Sequence, residues 1–376
     1  MDSARRVLPV VMFFSAFAWS FVFVSLPFHI QEISRLDPAA TLRWTGWILG
    51  ITSLVTVVTA PLWGRLAERG DPKTYYILVE VGQALGFFGM FAARTLVELF
   101  AARLALGFMG ASSTFAFMLS ARAADISDVR RQVAAIQSAM TVGQVIGPLA
   151  GAIVAARVGF RPSFVVGGLM LIGCAAIVRW GIAVPVEAVE ARRPERRARF
   201  RELVFVALIV LAGSIQMFFL TAILPNIVPG LGVAPRDTVV TGGLLVFVSG
   251  AGVALGAFAT PRLALWVPER RLIPALLAAS SALVAGLTLA GGVWTYAAVR
   301  FLQMLCIAPV FPLVVARIAQ HAGGGAIGII NSARIGAAFV GPVVATSLLA
   351  WWSPVVLYTL LAGIGLACVP LALVRR

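Results

Sequence analysis

The sequence has few charged residues. Only 12% of its 376 residues are Asp, Glu, Lys or Arg, whereas hydrophobic residues make up 60% and the mean hydropathy is +0.98. A soluble globular domain carries roughly 25% charged residues. This composition excludes an ordinary water-soluble surface and predicts that most of the outer surface contacts lipid.

Residues that enzymes and ATP-driven pumps need are also scarce. The chain has two histidines, no spacing of His, Asp and Glu typical of a metal site, and no nucleophile–base pair on one helix face. These absences argue against an enzyme, and a polytopic membrane enzyme stays only a remote alternative. No loop of the Gly-x-x-x-x-Gly-Lys type occurs, so the chain itself has no ATP site. We expect no cofactor and no bound metal.

Cysteine is nearly absent as well. Cys174, Cys306 and Cys368 each lie in an apolar run, on three different predicted helices. We interpret them as buried thiols, without a disulfide or metal site.

Long apolar runs fill most of the chain. Each has about 20 residues or more, the length that a helix needs to cross a bilayer. The basic start "MDSARR" could open a signal peptide, but the first run is too long and no small-residue cleavage site follows it, so we interpret it as a retained helix. The sequence predicts an all-α polytopic membrane protein with twelve transmembrane helices, at 8–31, 44–63, 74–93, 96–118, 133–156, 163–184, 202–226, 239–260, 272–292, 294–317, 326–350 and 354–374.

The net charge of +15 is distributed unevenly. If both termini are cytoplasmic, most arginines fall in the cytoplasmic segments, and the outer loops hold few of them. This asymmetry follows the positive-inside rule. It predicts a multi-pass protein of the cytoplasmic (inner) membrane with both termini inside, near anionic lipid headgroups and without a nucleic-acid partner. The outer arginines are Arg35, Arg43, Arg94, Arg157, Arg161 and Arg236.

The longest polar stretch divides the runs six plus six. It reads "PVEAVEARRPERRARFRE" over 185–202, and we expect a solvated cytoplasmic linker. The predicted domains are an N-terminal six-helix bundle (1–184), a linker (185–201) and a C-terminal six-helix bundle (202–376), in a protein expected to be a monomer.

The two halves repeat each other in detail. "RLA" at 65–67 recurs at 262–264, and Arg103 recurs as Arg300, both with an offset of 197 residues. "IQSAM" at 136–140 recurs as "INSAR" at 330–334, with an offset of 194. Parallel six-helix repeats are typical of a large class of secondary transporters, in which the substrate path lies between the halves. We therefore expect two bundles related by pseudo-twofold symmetry.

Glycine and proline recur together in the fifth and eleventh runs. Glycines spaced by four residues let membrane helices approach closely, and a proline inside such a helix removes a backbone donor. One interpretation is a packing face alone, and the other is an interface on which the halves rock. The residues of these helix interfaces are Gly143, Gly147, Pro148 and Gly151, with Gly341 and Pro342 in the second copy.

Three motifs resemble those of the major facilitator superfamily, in its branch of drug:proton antiporters. Gly143-x-x-x-Gly147-Pro148-x-x-Gly151 resembles the antiporter motif of helix 5, "GRLAERGDPK" at 64–73 resembles the loop between helices 2 and 3, and Leu99-x-x-x-Arg103-x-x-x-Gly107 resembles the helix 4 motif. The loop has Glu68 where Asp is usual and Asp71 where glycine is usual. Leu106 replaces the customary Gln.

The resemblance implies a conformational latch in the loop after helix 2. Its residues in this chain are Gly64, Glu68, Arg69 and Lys73. In the family fold the carboxylate lies at the start of helix 11, here 323–328, and a helix N-terminus favours an anion. Leu265 holds the matching place in the second half. A short basic connector is the alternative interpretation.

Ionisable residues at membrane depth are costly and are candidates for function. They are Glu80, Arg103, Arg300 and Arg334, with His29 and Glu32 at the outer end of helix 1. Helices 1 and 4 are neighbours in the family fold, which groups His29, Glu32 and Arg103, and all six residues are candidates for substrate binding and proton coupling. Glu32 and His29 at the membrane interface, and a Glu80 that only pairs with a nearby arginine, are the alternatives.

The leading hypothesis is that the protein is a secondary transporter. It would move a small organic solute by alternating access, as a proton-coupled exporter of drugs or metabolites. Three intramembrane arginines against one acid favour an anionic or zwitterionic substrate. The alternative is therefore a carrier of an anionic nutrient, siderophore or lipid-like solute, working outward or inward. A receptor or channel is a third class.

Overall fold

The structure, a computed structural model, describes residues 2–121, 126–182, 200–319 and 324–373. These residues form α-helices joined by short turns. Twelve helical segments are long and apolar enough to span a membrane, which confirms the predicted all-α fold of twelve helices. The helices are α1 (Asp2–Phe23), α2 (Ser25–Ile33), α3 (Pro38–Arg69), α4 (Pro72–Ala92), α5 (Leu96–Phe108), α6 (Ser112–Ala121), α7 (Ile126–Val158), α8 (Phe160–Gly181), α9 (Phe200–Ile227), α10 (Thr238–Trp266), α11 (Glu269–Gly286), α12 (Val293–Ile307), α13 (Val310–Ala319), α14 (Gly324–Trp351) and α15 (Pro354–Leu373).

Three of the twelve spans are broken into two helices. The first span changes from α1 to α2 at Val24, the fourth from α5 to α6 at residues 109–111, and the tenth from α12 to α13 at residues 308–309. The breaks in the fourth and tenth spans fall at matching positions of the two halves. Pro309 lacks a backbone donor and accounts for the second of them. Backbone N–H and C=O groups that are not in a helix need hydrogen-bond partners inside the protein at membrane depth, so side chains from neighbouring helices must supply them at these breaks.

The described residues cluster into two compact units. The first comprises 2–35 and 51–182, in which α1 packs against α7 and α8, and α4 packs against α8. Its core includes Trp63, Tyr76, Phe115 and Cys174, all almost fully buried. In lipid the hydrophobic effect does not drive helices together, so they associate through this kind of close packing.

The second unit comprises 36–50 and 200–373. In it α9 packs against α14 and α15, and α10 packs against α12. The segment Leu36–Gly50 belongs to this unit although it precedes the 185–201 linker by more than a hundred residues in the sequence. Gly46 is close to the backbone of Pro342 on α14, and Gly50 is close to Phe339. The predicted domain boundaries at residues 184 and 202 remain a prediction. The contacts differ from the predicted division at residues 36–50, which cluster with the second unit.

Candidate transport site

Glu80 lies in the middle of α4 and is fully buried. The Ser15 hydroxyl, on α1, donates a hydrogen bond to Glu80 Oε1 at 3.1 Å and lies 3.4 Å from Oε2. Ser112, the first residue of α6, contributes a further side-chain hydrogen bond. A buried carboxyl group is tolerated only where its oxygens have such partners. Glu80 thus connects three helices of the first unit.

Gln83 follows Glu80 by three residues, nearly one helical turn, and joins the same helices. Its Oε1 accepts a hydrogen bond from the Trp19 indole at 2.6 Å. Its Nε2 donates to the Met109 carbonyl and to the Ser112 hydroxyl, both at 2.7 Å. All of its side-chain polar atoms are therefore satisfied at the break between α5 and α6.

Side chains from α3 satisfy other carbonyls near this break. Thr56 Oγ1 donates to the Gly107 carbonyl at 3.0 Å, and the Trp63 indole donates to the Phe108 carbonyl at 2.6 Å. Carbonyls that a broken helix releases would otherwise lie unpaired in an apolar interior, at a cost of about 1–3 kcal/mol each. Hydrogen-bond donors on α3 and α4 therefore stabilise the break in the fourth span.

Arg103 lies on α5, close to Trp19. Its side chain is buried, with 2% of its surface exposed, and its guanidinium carbon lies 5.9 Å from the centre of the Trp19 ring. Trp19 is only half-buried. A guanidinium near an indole ring gains cation–π attraction, so the buried cation stabilises the position of the half-buried Trp19 ring.

His29 and Glu32 contact each other on α2, as their spacing predicts. His29 Nδ1 lies 3.2 Å from Glu32 Oε2. His29 is fully buried beside Phe160 and Phe164, whereas the Glu32 side chain is 62% exposed. The membership of Arg103 in this cluster remains a prediction.

Arg300 in the second unit is fully buried. Its Nη1 donates to the Gln216 carbonyl at 2.8 Å and to Gln303 Oε1 at 2.5 Å, and its Nη2 donates to the Met217 carbonyl at 2.7 Å. The guanidinium carbon lies 4.8 Å from the centre of the Phe219 ring. This arrangement holds α12 against α9 and gives Arg300 a structural role, and its part in substrate binding or proton coupling remains a prediction.

Gln216 also occupies the centre of a polar network. Its Oε1 accepts from Ser280 at 2.8 Å, and its Nε2 donates to Ser281 at 2.9 Å and to the Leu361 carbonyl at 3.1 Å. Gln303 Nε2 donates to Ser280 at 2.8 Å. The network contains amides and hydroxyls and, within the described part of the second unit, no carboxyl group.

The two polar centres occupy matching positions of the two halves. One centre surrounds Gln83 in the first half, and the other surrounds Gln216 in the second half. Each contains one residue from the first, third and fourth transmembrane spans of its half, and each residue of the first centre matches one of the second with an offset of 197 residues. The pairs are Trp19 and Gln216, Gln83 and Ser280, and Arg103 and Arg300. The repeat therefore extends from the sequence to the buried polar interior, but only the first copy carries a carboxyl group and a half-exposed aromatic ring.

Arg334 on α14 differs from the two buried arginines. Its side chain is exposed, and its guanidinium carbon lies 4.7 Å from the centre of the Phe311 ring on α13. A guanidinium in this state keeps its donors available to an anion.

A comparison with known proteins decides the family. The sequence profile described as Major Facilitator Superfamily matches residues 9–296, well over half of the chain. The chain belongs to the Major Facilitator Superfamily. It is therefore a multi-pass membrane transporter by family, as the resemblance of its motifs implied.

Individual superfamily members are similar at low identity. The uncharacterized MFS-type transporter YuxJ of Bacillus subtilis is 24% identical, over 88% of this chain and 86% of the relative. The multidrug resistance protein MdtG of Dickeya zeae is 24% identical, over 85% and 80%. The crystal structure of the human organic anion transporter MFSD10 superposes with a TM-score of 0.71 and 16% identity, over 99% of both chains, and this likeness shows the fold alone.

The superfamily loop after α3 lies partly outside the described side chains. Those of Glu68 and Arg69 are not described, and residues 320–323 lie outside the described ranges, so the latch remains a prediction. A methyl group on Gly64 would meet nothing within 4 Å. Lys73 Nζ donates to the Ile182 carbonyl at 2.5 Å. Asp71, which replaces the usual glycine, caps α4 by accepting from Thr74 N at 3.2 Å.

The glycines of the superfamily helix 5 motif face α1 inside the first unit. A Cβ on Gly143 would lie 2.5 Å from the Phe13 carbonyl oxygen, one on Gly147 would lie 2.8 Å from Ser20 Cβ, and one on Gly151 would overlap the Phe21 carbonyl. The described contacts thus give these glycines a packing role within one bundle. Pro148 and Pro342 lie inside α7 and α14, which continue through them.

Several residues of these centres were missed by the sequence reasoning. Ser15, Trp19, Gln83 and Gln216 are single polar residues in apolar runs and resemble no motif. The offset of 197 could have found two of them, since it relates Trp19 to Gln216. The spacing of Glu80 and Gln83 on one face of α4 was a second available signal.

Replacing Arg103 by lysine is expected to abolish most transport. An ammonium ion is a point charge and cannot present the planar fork of donors that a guanidinium presents beside Trp19. The matched control is Arg262→Lys, because the Arg262 guanidinium also lies over a ring, that of Phe258, at 5.1 Å, but on an exposed part of α10. Initial rates of dye transport in liposomes test this. Equal rates for the two variants would show that Arg103 supplies charge alone.

Proposed function

We propose that the protein exports small organic solutes from the cytoplasm in exchange for protons, by alternating access in the cytoplasmic membrane with both termini inside. The observation that carries this proposal is the difference between the two polar centres. Glu80 is the one fully buried acidic side chain among the described residues. It can gain and lose a proton, whereas the matching centre in the second unit is built from amides, hydroxyls and a guanidinium.

Relatives support the export direction. MdtG of Dickeya zeae is named a multidrug resistance protein and aligns over most of both chains. The resemblance of the helix 5 motif to that of drug:proton antiporters points the same way. The half-exposed Trp19 beside Arg103 offers the aromatic surface that a flat organic solute would contact.

A second candidate is the transport of an organic anion. The exposed guanidinium of Arg334 favours it, because a cation at membrane depth attracts an anionic substrate. The human neighbour MFSD10, similar in fold, is titled an organic anion transporter. The two candidates differ in the charge of the solute, and a test with two probes distinguishes them.

The direction and the charge class can be measured in cells that express the protein. Cells are loaded with ethidium, a permanent cation, or with fluorescein, an organic anion, and their fluorescence is followed before and after a protonophore is added. For a proton-coupled exporter, the protonophore raises the cellular content of the transported probe relative to cells with an empty vector. A fall in cellular content would show an importer, and no change with either probe would contradict the proposal.

A further inference from the structure

The arrangement around Glu80 supports a more specific assignment, which rests on the proposed proton-coupled function. The geometry points to Glu80 as the residue that binds the coupling proton, with Ser112 and Gln83 linking its charge to the break in the fourth span. The His29–Glu32 pair, which the sequence also offered, is half at the surface, because the Glu32 side chain is 62% exposed.

The surroundings of Glu80 contain hydroxyl groups and no cationic partner. Ser15 on α1 and Ser112 on α6 donate to its carboxylate. The other titratable groups that face it are the phenol of Tyr76, which donates to Met12 Sδ at 2.9 Å, and the thiol of Cys174 on α8. Among the residues that the structure describes, no lysine, arginine or histidine forms an ion pair with Glu80. Its charge is therefore not locked by a salt bridge and is free to be neutralised by a proton.

Binding adds one proton to one carboxylate oxygen and forms an O–H bond, and release returns the proton to water. The ionised group accepts hydrogen bonds only, whereas the protonated group also donates one. The oxygen that stays unprotonated can still accept the Ser15 hydrogen bond, and the new O–H becomes a donor beside the surrounding hydroxyl groups. No other covalent bond changes.

The charge of Glu80 also acts on the start of α6. Ser112 is the first residue of that ten-residue helix, and the backbone N–H groups of a helix N-terminus carry a partial positive charge that favours a nearby anion. An ionised Glu80 therefore holds α6 towards α4. Protonation removes this attraction, and residues 109–111, between α5 and α6, absorb the change of angle.

Gln83 connects the break between α5 and α6 to Trp19, the aromatic surface that we propose contacts the solute. It binds the Met109 carbonyl and Ser112 at the break, and its Oε1 accepts from Trp19, over which the Arg103 guanidinium lies. A movement of α6 is thereby transmitted to Trp19 through two hydrogen bonds. The second unit has Leu277 and Ser280 in place of Glu80 and Gln83, so this proton-binding arrangement has no copy at the matching positions of the second unit.

The first experiment measures proton-driven ethidium accumulation in liposomes that contain the wild type, Glu80→Gln, Glu80→Asp or the control Glu98→Gln. Glutamine has the shape of glutamate and can accept the Ser15 hydrogen bond, so folding is expected to persist. We expect Glu80→Gln to lose accumulation against a gradient but to retain downhill equilibration, and Glu80→Asp to keep coupling. Glu98 is an exposed acid of α5, and its variant should behave as the wild type. Coupling that survives Glu80→Gln, or that is lost in Glu32→Gln instead, overturns the assignment.

A second measurement is independent of any substrate. Infrared difference spectra of the purified protein at acidic and alkaline pH report the carbonyl stretch of protonated carboxylic acids. We expect a band from a buried acid in the wild type that is absent in Glu80→Gln and retained in Glu98→Gln. If the wild type ignores a pH gradient, the proposed function fails, and this titration shows separately whether Glu80 is a buried group that binds a proton. A band that Glu80→Gln leaves unchanged overturns the assignment.

The linkage to the break has its own readout. Hydrogen–deuterium exchange of peptides that cover residues 105–115, corrected for the intrinsic effect of pH, should be faster when Glu80 is protonated. The rate in Glu80→Gln should be high and independent of pH. If the wild type and the variant show the same corrected rates at every pH, the proton does not act on the break.

Discussion

Gly151→Ala should destabilise the protein strongly, although it adds a single methyl group. The new Cβ would overlap the Phe21 carbonyl of α1 and lie 2.8 Å from Phe21 Cα. These are backbone atoms, so no side chain can rotate away, and α1 and α7 must separate. Overpacking of this kind costs about 1–3 kcal/mol. Thermal unfolding of the purified protein in detergent measures the loss as a lower melting temperature.

The second half of the chain supplies the matched control. Gly147 corresponds to Gly341 with the offset of 194 residues, and Gly151 corresponds to Ala345. A Cβ on Gly341 would lie 3.4 Å from the Ile215 carbonyl oxygen, which is an ordinary contact. The α14–α9 pair therefore already accommodates methyl groups, and Gly341→Ala should change the melting temperature little. If the two variants melt alike, the glycines of α7 do not set the distance between α1 and α7.

Arg300→Lys is expected to have the second large effect, again on stability. The guanidinium spans two successive carbonyls, Gln216 O and Met217 O, and also binds Gln303. A lysine cannot present this planar fork, and a buried carbonyl left without a donor costs about 1–3 kcal/mol. The yield of monodisperse protein and the melting temperature report the loss.

Arg334→Lys is the comparison for this prediction. Arg334 is exposed and its described contact is the ring of Phe311, so lysine, which can also lie over a ring, should lose at most about 0.5–1 kcal/mol. An Arg300 that only binds substrate would behave differently, because its lysine variant would be as stable as the wild type and defective only in transport. That result would contradict the structural role assigned to Arg300.

The sequence was sufficient for the twelve spans and for the internal repeat, because length and apolar composition decide which segments cross a bilayer. It did not predict the breaks within the first, fourth and tenth spans. The fourth span has no proline at its break, and the break depends on donors from α3 and α4 such as Trp63 and Gln83, which only the fold brings there. The membership of residues 36–50 in the second unit depends equally on tertiary contacts.

The candidate site was predicted in part. The cost of charge in lipid identified Glu80, Arg103, Arg300 and Arg334 from the sequence. It could not tell an arginine that binds backbone carbonyls, Arg300, from one with an exposed guanidinium, Arg334, because both are single cations in apolar runs. Their difference lies in the neighbouring helix, where Gln216 and Met217 turn two carbonyls towards Arg300.

The most direct test of the central claim is ethidium flux in liposomes that contain the purified wild type, with a pH gradient imposed in either direction. Ethidium is a permanent cation, so it does not accumulate passively as a weak base would. A proton-coupled exporter should accumulate the dye in the lumen when the lumen is acidic, reverse the flux when the gradient is inverted, and lose both with a protonophore. Dye movement that is the same for both gradients and unaffected by the protonophore would contradict the claim.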